Sequence, residues 1–388
     1  MHIDKSFWLK KILPAIGAGV MGAVILVGSI SIWKSYKRVM VTANKPIKLT
    51  GIVSPTATPT PDPDADFSML LLGYAGGDHD GSGLTDSIIM ATIQPKEKRI
   101  VLTSIPRDLW VKLPLDKDKS EEYWYKVNAA YVLGRDDKRY PNKITEFTGP
   151  AGGGEVVKSV ISEVMGVKID NFLAVDFDGF MKAINNLGGI KVYVPVAFSD
   201  PWYPLEGMEK DTCGKSEEDL VAIEASLSGT KLEEEFTCRY EELNFERGVV
   251  EMDGETALKF ARSRHSDVYG GDFGRSDRQR LVIEAVADKI LSIGFLPKVI
   301  PLLNQLSWHI QTDADISKLK KWMDRADEFF DYKIVSKSLT EDNVLKQSRS
   351  SKGQFILTSL DGEGVWTSVQ KYMEDLLSET ASQSGEID

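Results

Sequence analysis

Cysteine and histidine are scarce in this chain, whose 388 residues include 2 cysteines and 4 histidines. A structural zinc site needs four such ligands at short, regular spacings, and the sequence shows none. No Ser/His/Asp signature of a serine hydrolase is visible either. Positive charge is also in deficit, since 47 Lys and Arg residues face 58 Asp and Glu residues. This acidic balance argues against general nucleic-acid binding, which favours basic domains.

One long uncharged run near the N-terminus predicts a membrane span. Residues 12–33 contain no charged side chain, and a helix of that length extends about 33 Å, enough to cross a bilayer core. The run ends at Trp33 and is followed by Lys34 and Tyr36, as is typical of an interfacial anchor. A cleaved signal peptide is the alternative, but its apolar core would be shorter. Basic residues are balanced on the two sides of the span, so they do not decide its orientation.

The rest of the chain divides into a spacer, one large domain and a tail. Residues 1–11 precede the span, and we assign them to the cytoplasm. Residues 34–66 include the run SPTATPTPDPDAD, which predicts an extended linker that holds the domain off the membrane. The domain is predicted over residues 67–380, and the polar tail 381–388 is expected to be disordered.

Short apolar runs and helical patterns alternate within the domain. FSMLLLG, SIIMATIQ and RIVLTSI indicate buried strands, the last two joined by a PKEK turn. VVKSVISEVMG, FDGFMKAINNLGG and MDGETALKFA indicate helices. Asp178 and Asp253 are the predicted N-caps of the last two. The alternation predicts an α/β or α+β sandwich around one mixed sheet.

The two cysteines bracket an acidic insert, residues 213–238. A pair that bounds a polar segment is most simply interpreted as a disulfide formed in an oxidising compartment. Closing a loop of this length contributes about 3–4 kcal/mol in the chain-entropy model. The alternative is two free buried cysteines. A Cys213–Cys238 bridge would place everything after the span outside the cytoplasm.

Arginine is concentrated in residues 260–280, FARSRHSDVYGGDFGRSDRQR, which contain five arginines and three aspartates. Guanidinium groups present a planar fork of donors that matches phosphate oxygens. Such a cluster in an acidic protein reverses the local field and can recruit a polyanion. The alternative is a solvated, salt-bridged loop.

The spacing within this arginine-rich segment suggests two converging pairs. Arg275, Arg278 and Gln279 share one face of a helix predicted to begin near Ser276, whose positive end favours anions. In an extended segment, side chains two residues apart point the same way, as Arg262 and Arg264 would. The pairs are expected to meet across the Gly270–Gly271 turn, with Asp272 between them.

Seven motifs occur in an order that resembles the LytR–CpsA–Psr family of membrane-anchored cell-envelope phosphotransferases. They are LLLG, TDSIIMATI, VLTSIPRDLWVKLP, KVNAAYVLG, GVKIDNFLAVDFDGFMKAINNLGGIKVYVP, MDGETALKFARSRH and DFGRSDRQR. The resemblance covers Phe67 to about Gly294 and extends more loosely to about residue 380. It implies one N-terminal transmembrane helix, a single-pass location in the cell membrane, and an extracytoplasmic α-β-α sandwich around a mixed central sheet.

The same resemblance implies an activity. Members bind polyprenyl pyrophosphate with Mg²⁺ and transfer the lipid-linked glycopolymer to peptidoglycan or another envelope acceptor. Two alternatives use the same fold, namely a polyprenyl pyrophosphate hydrolase with water as acceptor and a non-catalytic envelope lipid- or glycan-binding protein. The particular glycopolymer and acceptor are not predicted.

Residue by residue, the family pattern implies roles for eight positions. Asp86 matches a metal ligand, and Asp272 matches an aspartate that helps to activate the acceptor hydroxyl. The pyrophosphate-binding residues are Arg107, Arg262, Arg264, Arg275, Arg278 and Gln279. Of these, Arg107, Arg262, Arg264 and Arg275 are predicted to be catalytic together with Asp272.

The chain departs from the family pattern at two positions. Leu84 replaces the arginine that usually precedes the Asp86 motif, which removes one phosphate contact. Ala75 occupies roughly the place of a second metal-binding aspartate. Asp78 or Asp80, from the same loop, is a candidate replacement.

Structural roles remain open for several of these residues. Asp86 is a candidate cap for a strand-to-turn junction, and Arg107 for pairing with Asp108. Asp272 is a candidate for orienting Arg275 or Arg278 through a salt bridge, and Gln279 for facing solvent. The lipid chain needs an apolar slot, lined by residues 180–187 or by 156–164, although residues of this kind are more often ordinary core.

Overall fold

The computed structural model describes residues 64–77, 81–228, 230–266, 268–292, 302, 305–314, 328 and 331–379. The predicted span 12–33, most of the linker, the tail 381–388, and Asp78 and Asp80 lie outside the described residues. Within the described ranges, no helix is both long and apolar enough to cross a bilayer.

Strands dominate the first half of the described chain and alternate with helices. The strands are β1 (Phe67–Tyr74), β2 (Thr85–Gln94), β3 (Arg99–Ser104), β4 (Trp110–Leu113), β5 (Tyr123–Lys126), β6 (Asn171–Asp176), β7 (Ile190–Val194), β8 (Phe198–Pro204), β9 (Tyr240–Phe245), β10 (Gly248–Met252), β11 (Ile310–Thr312), β12 (Lys333–Ser338), β13 (Leu345–Arg349) and β14 (Phe355–Ser359). The described helices are α1 (Ala130–Arg135), α2 (Gly152–Met165), α3 (Phe177–Asn186), α4 (Glu217–Ser226), α5 (Thr230–Glu234), α6 (Gly254–Arg262), α7 (Gly271–Ser292) and α8 (Thr367–Ser378).

A six-stranded sheet in the order β11-β6-β1-β2-β3-β12 forms the centre of the fold. The β1–β6 and β3–β12 pairs are parallel, whereas β1–β2, β2–β3 and β6–β11 are antiparallel. The PKEK turn closes the β2–β3 hairpin, with the Lys98 amide donating to the Pro95 carbonyl at 3.2 Å. The predicted mixed central sheet is thus confirmed.

Helices cover both faces of this sheet. Alternate residues of β1 and β2, such as Leu70 and Met90, pack in one core with α2 and α8. A second core joins α3, α6 and α7 to β7, β9 and β10. Glu284 of α7 accepts a hydrogen bond from Ser336 of β12, so α7 lies across the second face. These layers form an α-β-α sandwich.

The apolar residues of α2 belong to the main core. Val156, Val157, Ile161 and Val164 are fully buried, and Val160 is 3% exposed. The ordinary-core interpretation therefore describes α2. Ile184 on α3 and Leu187, which caps its C-terminus, are also buried, while Phe180 and Met181 remain half-exposed.

One edge of the sheet gathers the ends of several strands, and we call it the carboxyl-end edge. Tyr74 at the end of β1 is opposite Asp176 at the end of β6. Ser104 at the end of β3 is opposite Ser338 at the end of β12. The antiparallel β2 begins here, with Thr85 opposite Tyr74. Ligands of open α/β sheets bind outside the carboxyl ends of parallel strands, so this edge is where a site is expected.

Three local expectations from the sequence are wrong. The N-cap of α3 is Asp176, whose carboxylate accepts from the Gly179 amide at 2.8 Å, and Asp178 lies in the first turn. Asp176 takes the cap because it has the extended backbone that a cap needs. Arg262 is the last residue of α6 and is not extended.

The third error concerns α7, which begins at Gly271 and not near Ser276. The Gly270–Gly271 turn does reverse the chain, since Gly271 has φ +74° and its amide donates to the Arg264 carbonyl at 2.8 Å. Helical structure starts directly after that reversal. Arg275 and Arg278 therefore lie in the second and third turns and are not at the helix terminus.

The disulfide between Cys213 and Cys238 is present, with the Cα atoms 5.7 Å apart. The insert that it closes lies between β8 and β9 and contains α4, which has no buried residue. Phe236 is the apolar anchor of the insert. Its ring is 2% exposed and lies 3.7 Å from the Arg239 guanidinium.

Close packing of α6 on α3 brings Arg262 to the carboxyl-end edge, and Gly254 makes that packing possible. A Cβ atom on residue 254 would lie 2.2 Å from the Met181 carbonyl oxygen. We expect Gly254→Ala to lower the free energy of unfolding by about 1–3 kcal/mol, because backbone must move to relieve the clash. Urea titration measures this change. The neighbouring Glu255→Ala, on an exposed side chain, should change stability little, and equal effects of the two variants would contradict this prediction.

Candidate functional site

The first element of the site is an ion pair between Asp86 and Arg107. In the β2–β3 ladder Ile89 is opposite Ser104, and continuing that register three residues outward places Asp86 opposite Arg107. Arg107 Nη1 donates to Asp86 Oδ1 at 2.9 Å, and the two side chains are 22% and 36% exposed. The pair thus lies at the carboxyl-end edge and is accessible to a ligand.

Arg107 also contacts its neighbour Asp108, at 3.6 Å from Nε to Oδ2. Asp108 is buried and forms a second ion pair with Lys126. The predicted Arg107–Asp108 pairing is therefore present beside the contact with Asp86. It fixes the start of the β4–β5 hairpin to the site.

Arg262 is the second element, and aromatic rings hold it in place. Its guanidinium carbon lies 4.7 Å from the Phe177 ring centre and 5.6 Å from that of Tyr203. Nη1 donates to the Tyr203 hydroxyl at 3.2 Å. Phe177 directly follows Asp176 at the end of β6, so Arg262 lies at the same edge as Asp86. Strands β6 and β2 flank β1, which separates their ends by about 10 Å.

Arg278 is buried beneath this element, with an exposed fraction of 1%. It donates to the Ser263 carbonyl and, at 2.8 Å, to the Tyr269 carbonyl. Its guanidinium stacks over Phe198 at 4.9 Å. Burial lowers the pKa of Arg278 to about 10, so it remains charged at neutral pH. These contacts place Arg278 as a tie between α7 and the loop that follows Arg262.

The other predicted residues are divided between surface and interior. Arg264 is exposed in the loop after α6, whereas Arg275 is buried on α7 one turn before Arg278. Gln279 is half-buried. Asp272 lies in the first turn of α7, three residues before Arg275, and its side chain is outside the described part of the chain.

Asp200 is a site residue that the sequence analysis missed. This fully buried carboxylate accepts four hydrogen bonds. Oδ2 accepts from Ser263 Oγ at 2.7 Å, the Arg264 amide at 2.8 Å and the His265 amide at 3.0 Å, while Oδ1 accepts from the Trp202 amide at 3.0 Å. Burial alone would raise the pKa of Asp200, but these hydrogen bonds outweigh it and hold the pKa below its usual value. Asp200 thereby fixes the backbone that carries Arg262 and Arg264.

Asp176 and His309 form a further pair at this edge. His309 Nδ1 lies 3.0 Å from Asp176 Oδ1, and Lys182 Nζ lies 2.7 Å from His309 Nε2. Because the lysine can only donate to Nε2, the imidazole proton belongs on Nδ1, where it bonds the carboxylate. The sequence signal for this pair was absent, since His309 is distant from every arginine motif.

Asp86 can contribute to a magnesium site. Arg107 engages Oδ1, and Mg²⁺ is commonly held by one or two carboxylates together with substrate phosphate oxygens. The donor type therefore fits a cation held mainly by a phosphate ligand. The cluster of Asp211 with Cys213 and Cys238 does not fit a metal, because both sulfurs are in the disulfide.

The family model LytR_cpsA_psr matches residues 34–371. The chain belongs to this family. Biofilm regulatory protein A of Streptococcus mutans is 28% identical over 326 residues, covering 79% of this chain and 68% of the relative. The polyisoprenyl-teichoic acid–peptidoglycan teichoic acid transferase TagV of Bacillus subtilis is 30% identical over 253 residues, covering 65% of this chain and 51% of TagV.

Two solved structures share the fold of this chain. The crystal structure of B. subtilis TagV has a TM-score of 0.52 and 25% identity, covering 82% of this chain and 99% of that chain. The Streptococcus agalactiae protein gbs0355 has a TM-score of 0.55 and 24% identity, covering 82% and 90%, and it supports the fold alone. The mixed α/β fold of this chain therefore matches that of TagV.

The hydrogen bonds of Asp200 generate a prediction about acid stability. Asp200→Asn should lower the free energy of unfolding at pH 7 by about 1–3 kcal/mol, since an amide NH₂ would face backbone donors. Because the folded pKa of Asp200 is depressed, the stabilisation is present above about pH 4 and is lost as the pH falls through that folded value. Urea titrations at pH 7 and pH 3 should therefore show a smaller difference between wild type and variant at pH 3. The exposed Asp342→Asn is the control, and a difference independent of pH would refute the prediction.

Proposed function

We propose that this chain transfers a glycopolymer from a polyprenyl pyrophosphate carrier to peptidoglycan or another cell-envelope acceptor. The observation that carries the proposal is the meeting of Asp86 and Arg107 with Arg262 at one edge of the sheet. The names of related proteins, which include TagV and TagU transferases, support the same donor and acceptor types.

The proposed reaction is a phosphoryl transfer. An acceptor hydroxyl oxygen attacks the phosphorus that bears the glycan, and the bond from that phosphorus to the bridging oxygen breaks. Polyprenyl phosphate leaves, and the hydroxyl proton passes to a base. The accessible guanidinium groups of Arg107, Arg262 and Arg264 would neutralise charge that moves onto the leaving phosphate. Arg278 and Asp200 would act indirectly, by fixing the backbone between them.

Asp272 is the proposed acceptor of that proton. Its place in the first turn of α7 brings it near Arg275 in sequence, and an aspartate among guanidinium groups stays ionised. A positioned base of this kind contributes about 10²–10⁴-fold to the rate.

Magnesium is the proposed cofactor, with Asp86 as its protein ligand. When bound, the cation would neutralise charge on the phosphate oxygens. Arg107 would then orient Asp86 through the hydrogen bond to Oδ1.

The proposal also includes membrane attachment and an extracytoplasmic domain. The uncharged run 12–33 supports a single span. The Cys213–Cys238 disulfide supports an oxidising compartment for the domain. The substrate lipid and the acceptor would both be present on that side of the membrane.

Arg262 provides the main test of donor binding. We expect the full chain, purified in detergent, to retain polyprenyl phosphate species that mass spectrometry detects. Arg262→Ala should abolish retention and transfer, because the exposed guanidinium at the sheet edge is removed. Arg247→Ala, which removes an exposed arginine from the β9–β10 turn, is the matched control. Unchanged retention in Arg262→Ala would sink the proposal.

Transfer assays also distinguish between a glycan acceptor, water as the acceptor, and binding without reaction. Product should appear on glycan acceptor when peptidoglycan fragments are added to donor lipid. If the products are the same with and without peptidoglycan fragments, water is the acceptor. If the donor lipid is retained but no product forms, the chain is a binding protein.

Asp86 tests the role of magnesium. Asp86→Asn should raise the Mg²⁺ concentration required for half-maximal transfer at least as much as the roughly 10–100-fold that is typical of losing an outer-shell partner. Asp178→Asn, an exposed carboxylate in the first turn of α3, should leave that concentration unchanged. Identical magnesium titrations for wild type and Asp86→Asn would exclude Asp86 as a ligand.

A further inference from the structure

A cleft on the α2 face of the sandwich is not used by the proposed reaction. It lies between the β4–β5 hairpin, the second half of α2 and residues 363–366. Val111, Val160 and Val164 form its apolar floor, and Trp124 and Trp366 form its aromatic walls. Its volume of about 210 Å³ is below the roughly 300 Å³ at which drug-sized sites begin, so it suits a single small ring.

The indole rings near this cleft are held in fixed orientations. Trp124 Nε1 donates to Glu122 at 3.2 Å, and Trp110 Nε1 donates to Glu363 at 2.9 Å. Gly364 has φ +72°, and a Cβ atom there would lie 2.9 Å from Trp124 Cη2. The backbone at residue 364 thus approaches Trp124 as closely as only glycine allows, and the ring does not need to be ordered again when a ligand binds.

The polar groups at the rim match a ligand with hydroxyl groups. Glu163 and Glu363 are exposed carboxylates that accept hydrogen bonds, and Lys112 is a donor. A sugar ring offers C–H groups on one face, which pack against an aromatic ring, and hydroxyl groups around its edge. The apolar floor, the indole walls and the carboxylates at the rim therefore match the size and chemistry of one sugar unit.

Charge distinguishes between the possible sugars. Lys112 forms an ion pair with Glu122, so Glu163 and Glu363 give the cleft a net negative charge. A polyanionic glycopolymer with phosphate in its backbone would be repelled. A neutral sugar would not be repelled.

The cleft is also physically connected to the site. The hairpin that forms its wall begins beside Arg107 and Asp108, and Lys126 of β5 pairs with Asp108. Arg107 and Lys112 are five residues apart in sequence and therefore no more than about 18 Å apart. A short glycan strand seated in the cleft would reach the carboxyl-end edge.

We propose that this cleft is a subsite for a neutral sugar unit of the acceptor glycan. The proposal rests on the proposed function, because it assigns the acceptor and not the donor. Trp124 supplies the stacking surface, while Glu163 and Glu363 accept hydrogen bonds from sugar hydroxyl groups.

The test measures binding of two carbohydrates to the full chain in detergent, without donor lipid. Chitotetraose, an uncharged N-acetylglucosamine oligosaccharide, should bind, as followed by saturation-transfer NMR and tryptophan fluorescence. Poly(glycerol phosphate), an anionic polymer, should not compete for the cleft. Trp124→Ala should weaken chitotetraose binding by about tenfold or more. Trp308→Ala, which removes a 74% exposed indole outside the cleft, should bind like wild type.

A second variant keeps the test informative if Trp124→Ala does not fold. Glu163 is exposed on α2, so Glu163→Arg should keep the fold, weaken chitotetraose binding severalfold and strengthen binding of poly(glycerol phosphate). Wild-type affinity for chitotetraose in both Trp124→Ala and Glu163→Arg would overturn the proposal. Displacement of chitotetraose from wild type by poly(glycerol phosphate) would overturn it as well.

The same experiment separates the two proposals. Chitotetraose binding that depends on Trp124, in a chain that transfers nothing, supports the subsite and contradicts the proposed function. Transfer with an unchanged acceptor KM in Trp124→Ala supports the function and contradicts the subsite.

Discussion

The buried carboxylate of Asp200 is the interaction on which the arginine-bearing loop depends. It binds the side chain of Ser263 and the amides of Arg264 and His265, while Arg278 binds the Ser263 carbonyl from the other side. One anion and one cation thus hold a short stretch of backbone between them. Neither group is available to a ligand, because both are buried. Their contribution is to fix the backbone segment that carries Arg262 and Arg264 at the surface.

Because some charged groups are buried and structural while others are exposed, an acidic protein can present a cationic site. A cluster of arginines that all faced solvent would repel one another and move freely. Here Arg278 is neutralised in part by Asp200, and Phe177 and Tyr203 hold Arg262. The exposed guanidinium of Arg262 is therefore pre-organised, which lowers the entropy lost on binding an anion.

Much of this arrangement was predictable from the sequence, and the reasons are local. Apolar alternation fixed β1, β2 and β3, and the short PKEK turn fixed the β2–β3 register that places Asp86 opposite Arg107. The start of α7 was misplaced because glycine and aspartate favour loops, whereas helical hydrogen bonding begins directly after Gly271. Asp200 and His309 were missed because their partners are distant in sequence, and no periodic pattern marks a buried polar contact. Motif order supplied the family, but burial decides which arginines a ligand can reach.

The insert between β8 and β9 returns the chain almost to the point where it left. The Leu205 amide donates to the Arg239 carbonyl at 2.8 Å, and the Cys213–Cys238 bridge closes the segment again further out. Because the two ends of the insert lie next to each other, the length of the insert does not affect the distance between β8 and β9. Evolution, or an engineer, can therefore exchange this module for a longer or differently charged one while the sheet and its arginines remain undisturbed.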